Sequence, residues 1–185
     1  MPYSDPSCRR WILAQLLNLR DPVPESVVDV GAGAGTAKEF YGPWLPADWT
    51  RPRAPWTAIE IWEPYVARFA LNFRYQHVIR GDARELVLPE ADLYLFCDVV
   101  EHMPPEDAIA LWARARKVAR WLVINLPVHR YEQGEMEGNP FEAHVYHWSV
   151  EEVLATFPGI VAHTGPLTPG SLTGAFIAEG EPRGG

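Results

Sequence analysis

The stretch Val27-Val28-Asp29-Val30-Gly31-Ala32-Gly33-Ala34-Gly35-Thr36 decides how this chain is read. Its first four residues are mostly β-branched and read as a buried strand. Three glycines within the next five positions let the backbone turn tightly and come close to a ligand. A helix expected over residues 36–41 opens with N–H groups that have no partner inside the helix, a place where an anionic group can sit. Alone, such a turn fits several nucleotide ligands, or is simply a turn. The glycine spacing is Gly-x-Gly-x-Gly, and Thr36 stands where a dinucleotide fingerprint asks for Gly or Ala.

Outward from this turn, strand and helix patterns alternate. Upstream, Trp11, Ile12, Leu16 and Leu19 fall at helical spacing over residues 6–19, and Asp21-Pro22-Val23-Pro24 stops that helix. Downstream, residues 42–55 form an unusually long loop rich in Pro and Trp. Strands are expected at 56–61, 77–80, 91–97 and 121–126, with helices at 64–73 and 105–119 between them. A long polar loop covers 128–147. Ser149 with Glu152 three residues on forms a capping box for a helix that runs to about residue 157. Residues 160–163 and 172–178 read as a closing pair of strands, and 180–185 as a loose tail. This alternation predicts a parallel sheet with helices on both faces, and ligands outside the carboxyl ends of its strands.

The strand ends carry the chemistry. Glu60 follows the second strand, where a carboxylate can grip a ribose diol by two hydrogen bonds, or stand as an ordinary solvated acid. Gly81-Asp82-Ala83 follows the third, and Asp82 can accept from an exocyclic amine or cap the next turn. Asp98-Val99-Val100-Glu101-His102-Met103 follows the fourth, and acidic groups with a histidine at a strand mouth are costly to bury unless paired.

This set of four strand ends in register resembles the class I S-adenosylmethionine-dependent methyltransferases, closest to the small-molecule branch with its Glu-His pair after the fourth strand. The resemblance covers roughly residues 26–126. It implies a Rossmann-like α/β fold: a doubly wound, mostly parallel seven-stranded sheet with a reversed C-terminal hairpin and helices on both faces. It also implies S-adenosylmethionine as cofactor. Asp29, Gly31 and Gly33 would surround its amino-acid end, and Glu60, with Ile61 beside it, its ribose. Asp82 and Ala83 would face the adenine, with Asp98 and Val99 beneath.

Methyl transfer needs a general base only when the acceptor must lose a proton, and histidine suits that task near neutral pH. His102 stands next to the expected cofactor. The loop after the fifth strand would fold over the methyl end, where an acceptor arrives. His129, Tyr131, Glu142, His144 and His147 are its candidates for binding the acceptor, with His102, His129 and His144 the candidates for catalysis. His144-x-x-His147 with Glu142 can be read as metal ligands. On a loop no helical spacing fixes two imidazoles on one face, so no metal is expected. Tyr3 and Trp11 are candidates for a lid over the cofactor, or for core packing.

Composition narrows the classes. The 185 residues suit one domain, divided into an N-terminal helix or lid (1–20), a cofactor core (26–126), an acceptor loop (127–148), a closing helix and hairpin (149–179) and a tail (180–185). Two cysteines give no disulfide framework, and neither a signal-peptide core nor a membrane span is seen, so a cytoplasmic protein without membrane partners is expected. The net charge is −8 and the basic residues are scattered, apart from Arg114, Arg116, Lys117 and Arg120 on one helix, read as a solvated face. That speaks against nucleic acid as partner and favours a small-molecule acceptor with an O or N nucleophile. A nucleic-acid methyltransferase, a non-catalytic cofactor-binding module and an NAD-dependent oxidoreductase are the alternatives. A monomer or homodimer is expected, with the tryptophans of 42–55 as a possible interface.

Overall fold

A computed structural model describes residues 6–18, 24–45 and 55–181. Strand β1 (Val27–Val30) lies inside the sheet, paired in parallel with β2 (Trp56–Glu60) on one side and β4 (Ala91–Cys97) on the other. Strand β3 (His77–Arg80) extends the sheet beyond β2, and β5 (Ala119–Pro127) extends it beyond β4, again in parallel. The reversed strand β7 (Thr173–Glu179) pairs antiparallel with both β5 and β6 (Ile160–Thr164). Among the described residues the sheet has seven strands in the order β3-β2-β1-β4-β5-β7-β6. The strand order therefore reverses between β1 and β4, and a crevice opens at their carboxyl ends.

Both faces of the sheet are covered, as its sequence requires. On β4, Leu93 and Leu95 point into one core and Tyr94 and Phe96 into the other. Helix α1 (Arg9–Asn18) packs Ile12 and Leu16 into the first, with Val27, Val123 and Ile177. Trp11 is partly buried there too and does not line the crevice. The second core receives α5 (Pro105–Val118) through Ala108, Leu111, Trp112 and Ala115. Each fully buried large side chain of this kind contributes roughly 1.5–3 kcal/mol.

Between β1 and β2 lies α2 (Thr36–Tyr41), as expected. The helix expected over 64–73 is instead two short ones, α3 (Glu63–Arg68) and α4 (Leu71–Arg74). The break is at Ala70, whose φ of 51° is left-handed and cannot continue a helix. Ser149 and Glu152 form both bonds of the capping box that opens α6 (Val150–Thr156). Of the basic cluster expected on one helix, Arg114, Arg116 and Lys117 lie on α5 but Arg120 falls on β5, and Arg114 and Arg116 are half-buried and not a solvated face. Arg114 donates to the carbonyls of Ala83, Arg84 and Leu86 and so clamps the segment after β3, while Arg116 reaches the Glu179 carbonyl and Glu181. Among the described residues no helix is long and apolar enough to cross a membrane. Tyr3, Leu19, the stop at Asp21–Val23, most of the 42–55 loop with Trp49, and residues 182–185 lie outside the described residues.

Candidate active site

The crevice is a cavity of about 510 Å³. Its floor is the turn after β1. Gly31, Gly33 and Gly35 have φ of 64°, 51° and 72°, backbone that side chains disfavour. At Gly31 a Cβ would also stand 2.9 Å from the Val99 side chain, so the turn and the segment after β4 touch only because position 31 is bare. Arg74 seals the turn from behind by donating to the Ala34 carbonyl while pairing with Glu39.

Glu60 closes one side of the floor. It is buried, and each carboxylate oxygen accepts a backbone N–H at 2.8 Å, one from Gly33 and one from Trp62. Burial raises its carboxyl above the ordinary range against the pull of these donors. On β1, Asp29 accepts from the Tyr75 hydroxyl at 2.5 Å. Burial pushes its carboxyl up to about 7; the Tyr75 bond opposes the rise and Glu60 adds to it. Tyr75 follows α4, and nothing in its local sequence marks it as a partner of Asp29.

Asp82 and Ala83 line the next wall. The Asp82 carboxylate is held by the Arg84 guanidinium, at 2.6–2.9 Å, and accepts the Arg84 backbone N–H. Arg84 reaches on to Asp107 of α5. Asp98 stands at φ 53° where β4 ends, and with Val99 it completes the floor. All nine expected cofactor residues, Asp29, Gly31, Gly33, Glu60, Ile61, Asp82, Ala83, Asp98 and Val99, therefore line one cavity.

The loop after β5 supplies the roof through Tyr131, Gln133, Met136, Asn139, Phe141, Glu142 and His144. It is tied down by main chain and amide groups. The Glu101 carbonyl accepts from the N–H of Val145 (2.8 Å) and Tyr146 (3.1 Å). Gln133 donates to the Glu142 carbonyl at 2.7 Å, and the buried Asn139 accepts from the Phe141 N–H at 3.0 Å. Phe141 lies against Trp62 with ring centroids 6.0 Å apart, and Glu137 pairs with Arg68. The roof thus docks on α3 and on the short 3-10 turn Val100–His102.

The expected acceptor and catalytic residues divide. Tyr131, Glu142, His102 and His144 all line the cavity. His129 does not: β5 ends in Pro127, Val128 is buried, and the exposed His129 falls outside. His147 is also outside, with Nε2 3.5 Å from Glu132. The sequence marks Glu101 only as one member of an acidic strand mouth and gives it no role of its own. Its side chain is buried under the roof, where burial pushes its carboxyl up to about 8.

Among the described cavity residues the acidic groups are Asp29, Glu60, Asp82, Asp98 and Glu142 against one guanidinium, Arg84, which is already paired. This is a site for a cationic or neutral ligand. The Gly33 N–H, a donor that a pyrophosphate on this turn would use, is spent on Glu60.

The fold has close counterparts among solved structures. A S-adenosylmethionine-dependent methyltransferase from Clostridium acetobutylicum superposes with a TM-score of 0.66 at 9% identity, over 92% of this chain and 89% of that one. The chain has the class I methyltransferase fold. The N-terminal domain of EvdMO1 with SAH (S-adenosylhomocysteine) bound shares it at TM-score 0.65 and 12% identity, over 97% of this chain and 82% of that one. So does magnesium protoporphyrin IX methyltransferase from Synechocystis with bound SAM, at 0.65 and 17%, over 93% and 77%. No family model matches the chain, and no curated protein matches it in sequence. At these identities the methyltransferase likeness is one of architecture, and ligand and reaction rest on the site itself.

Proposed function

We propose that this protein transfers a methyl group from S-adenosylmethionine to a small molecule bearing an O or N nucleophile. The observation that carries this reading is Glu60. Its carboxylate occupies the turn donor at Gly33, which turns away a pyrophosphate and favours a ligand with positive charge and hydroxyl donors. The neighbouring acids and the bare Gly31 cradle support the same cofactor, as do the neighbours whose structures hold SAM or SAH.

Asp29, Gly31 and Gly33 would hold the amino-acid end, Glu60 and Ile61 the ribose, Asp82 and Ala83 the adenine, and Asp98 and Val99 the underside. When bound, the cofactor supplies a methyl group on a good leaving group. The chain's own residues then have to position the acceptor and exclude water. The roof does both, with Tyr131, Glu142 and His144 facing the cavity. His102 and His144 are the imidazoles placed to take a proton or a hydrogen bond from the acceptor. Burial holds the His144 imidazole below its ordinary value, so that ring is neutral at pH 7.

Titration calorimetry of the full chain with SAH and with NAD tests the reading. Saturable binding of SAH and none of NAD is expected. Tight NAD binding without SAH binding would overturn it.

A further inference from the structure

Glu101 and His102 end the short turn after β4, and His144 comes from the roof more than forty residues later. One possible ligand atom from each of the three lies within 4.8 Å of the other two. The Glu101 side chain is 1% exposed, and no side chain donates a hydrogen bond to either of its oxygens. A carboxylate buried in that way is costly unless a cation shares the site.

Each histidine has a backbone carbonyl against its Nδ1. His102 Nδ1 lies 3.1 Å from the Ala143 carbonyl, and His144 Nδ1 lies 2.7 Å from the Tyr131 carbonyl. A carbonyl only accepts, so both Nδ1 atoms carry the proton and both Nε2 atoms keep a lone pair. Metal-bound imidazoles are held in this manner by outer partners. The two rings stand edge to face with centroids 5.0 Å apart. His102 and His144 line the cavity whereas Glu101 sits behind them. An ion between them would keep its remaining positions on the cavity side, the arrangement of a catalytic rather than a structural metal.

We propose that Glu101, His102 and His144 bind one divalent transition-metal ion, and that the acceptor is a hydroxyl compound whose oxygen reaches that ion. Two imidazole nitrogens and one carboxylate suit Zn²⁺, Fe²⁺, Mn²⁺ or Co²⁺ better than Mg²⁺ or Ca²⁺, which prefer oxygen alone. The acceptor half of this proposal rests on the methyltransferase reading; the ion half does not. With the ion bound, His102 and His144 are its ligands and take no proton, so in the transfer the acceptor O–H gives its proton to solvent. The freed oxygen pair forms the new C–O bond while the methyl carbon–sulfur bond breaks and its pair stays on sulfur. The ion's part is to make the hydroxyl more acidic.

The full chain, freed of metal with a chelator and desalted, is titrated with Zn²⁺ by calorimetry and with Co²⁺ by visible absorption. One ion per chain is expected. Glu101→Gln and His144→Ala should each weaken Zn²⁺ binding by about 100-fold, at or above the loss seen when an outer partner is removed. His77→Ala, exposed on β3, should leave it unchanged. His144 is on the roof, so its variant carries the test even if a change at the buried Glu101 prevents folding. The proposal is overturned if the wild type fails to bind stoichiometrically, if binding survives both substitutions, or if it depends on His147 but not on Glu101. SAH affinity, measured on the same samples, separates the two ideas. Zn²⁺ binding without SAH binding sustains the ion site and overturns its link to methyl transfer.

Discussion

The floor and the roof of the cavity are built in opposite ways. Each floor residue lies within a few positions of a strand end, and the parallel register of β1 with β2 and β4 brings those ends level. The roof comes from one loop with little regular structure beyond the turn Pro140–Glu142. Its shape is set by hydrogen bonds to the main chain of Glu101 and by amide side chains within the loop. A floor made by sheet register is repeated wherever the pattern of strands is repeated. A roof made by individual polar contacts can change its acceptor without disturbing the fold.

The largest effect expected of any single change is at Gly31. Alanine there meets a left-handed φ that costs roughly 1–2 kcal/mol, and its Cβ would stand 2.9 Å from Val99. SAH affinity should fall by about 100-fold, measured by calorimetry, with the roof's contacts unaltered. If Gly31→Ala binds SAH as the wild type does, the floor is not the cofactor site, and the contrast between the two regions fails.

Glu60→Gln comes next. The amide puts an NH₂ where one of two backbone N–H groups now finds an oxygen, leaving a buried donor unsatisfied. That is worth about 1–3 kcal/mol, so SAH binding should weaken by roughly 10- to 100-fold. A gain of NAD binding by this variant would bear out the argument that Glu60 selects the cofactor; SAH affinity equal to that of the wild type would break it.

Asp29 sharpens the comparison through stability. The folded chain holds the Asp29 proton up to about pH 7, while the unfolded chain releases it near the ordinary aspartate value of 3.8. Between those values the folded state binds more protons, so wild-type stability falls as pH rises from about 4 to about 7 and is lowest above that. Asp29→Asn should flatten this slope in thermal melts across the range. A slope unchanged from wild type would mean the carboxyl is not held neutral by its burial.

Most of the sheet was legible from the chain because β-branched runs, glycine turns and the Ser149–Glu152 box are local signals. The break at Ala70 was not, since an alanine rarely takes φ 51° and nothing nearby announces it. For the same reason the floor could be read residue by residue, and the roof only in part. Tyr131, Glu142 and His144 were candidates because they are polar groups on a long loop. His129 and His147 were candidates on the same ground, and the end of β5 and the Glu132 contact put them elsewhere. Gln133 and Glu101 owe their places to partners further along the chain, which no periodicity encodes, whereas Asn139 caps the turn two residues on at Phe141.

Asn139 gives the smallest effect and the finest test. Its side chain accepts from the Phe141 N–H and so fixes the turn that lays Phe141 on Trp62, yet it touches no expected cofactor residue of the floor through a hydrogen bond. Losing a bond of this capping kind costs roughly 0.5–2 kcal/mol. Asn139→Ala should therefore loosen the roof over the acceptor, raising the acceptor KM about fivefold while SAH affinity stays where it was. If SAH affinity falls in step with the acceptor, roof and floor bind as one unit. The acceptor would then have to be sought among ligands that the whole cavity closes around, rather than among those that the loop alone selects.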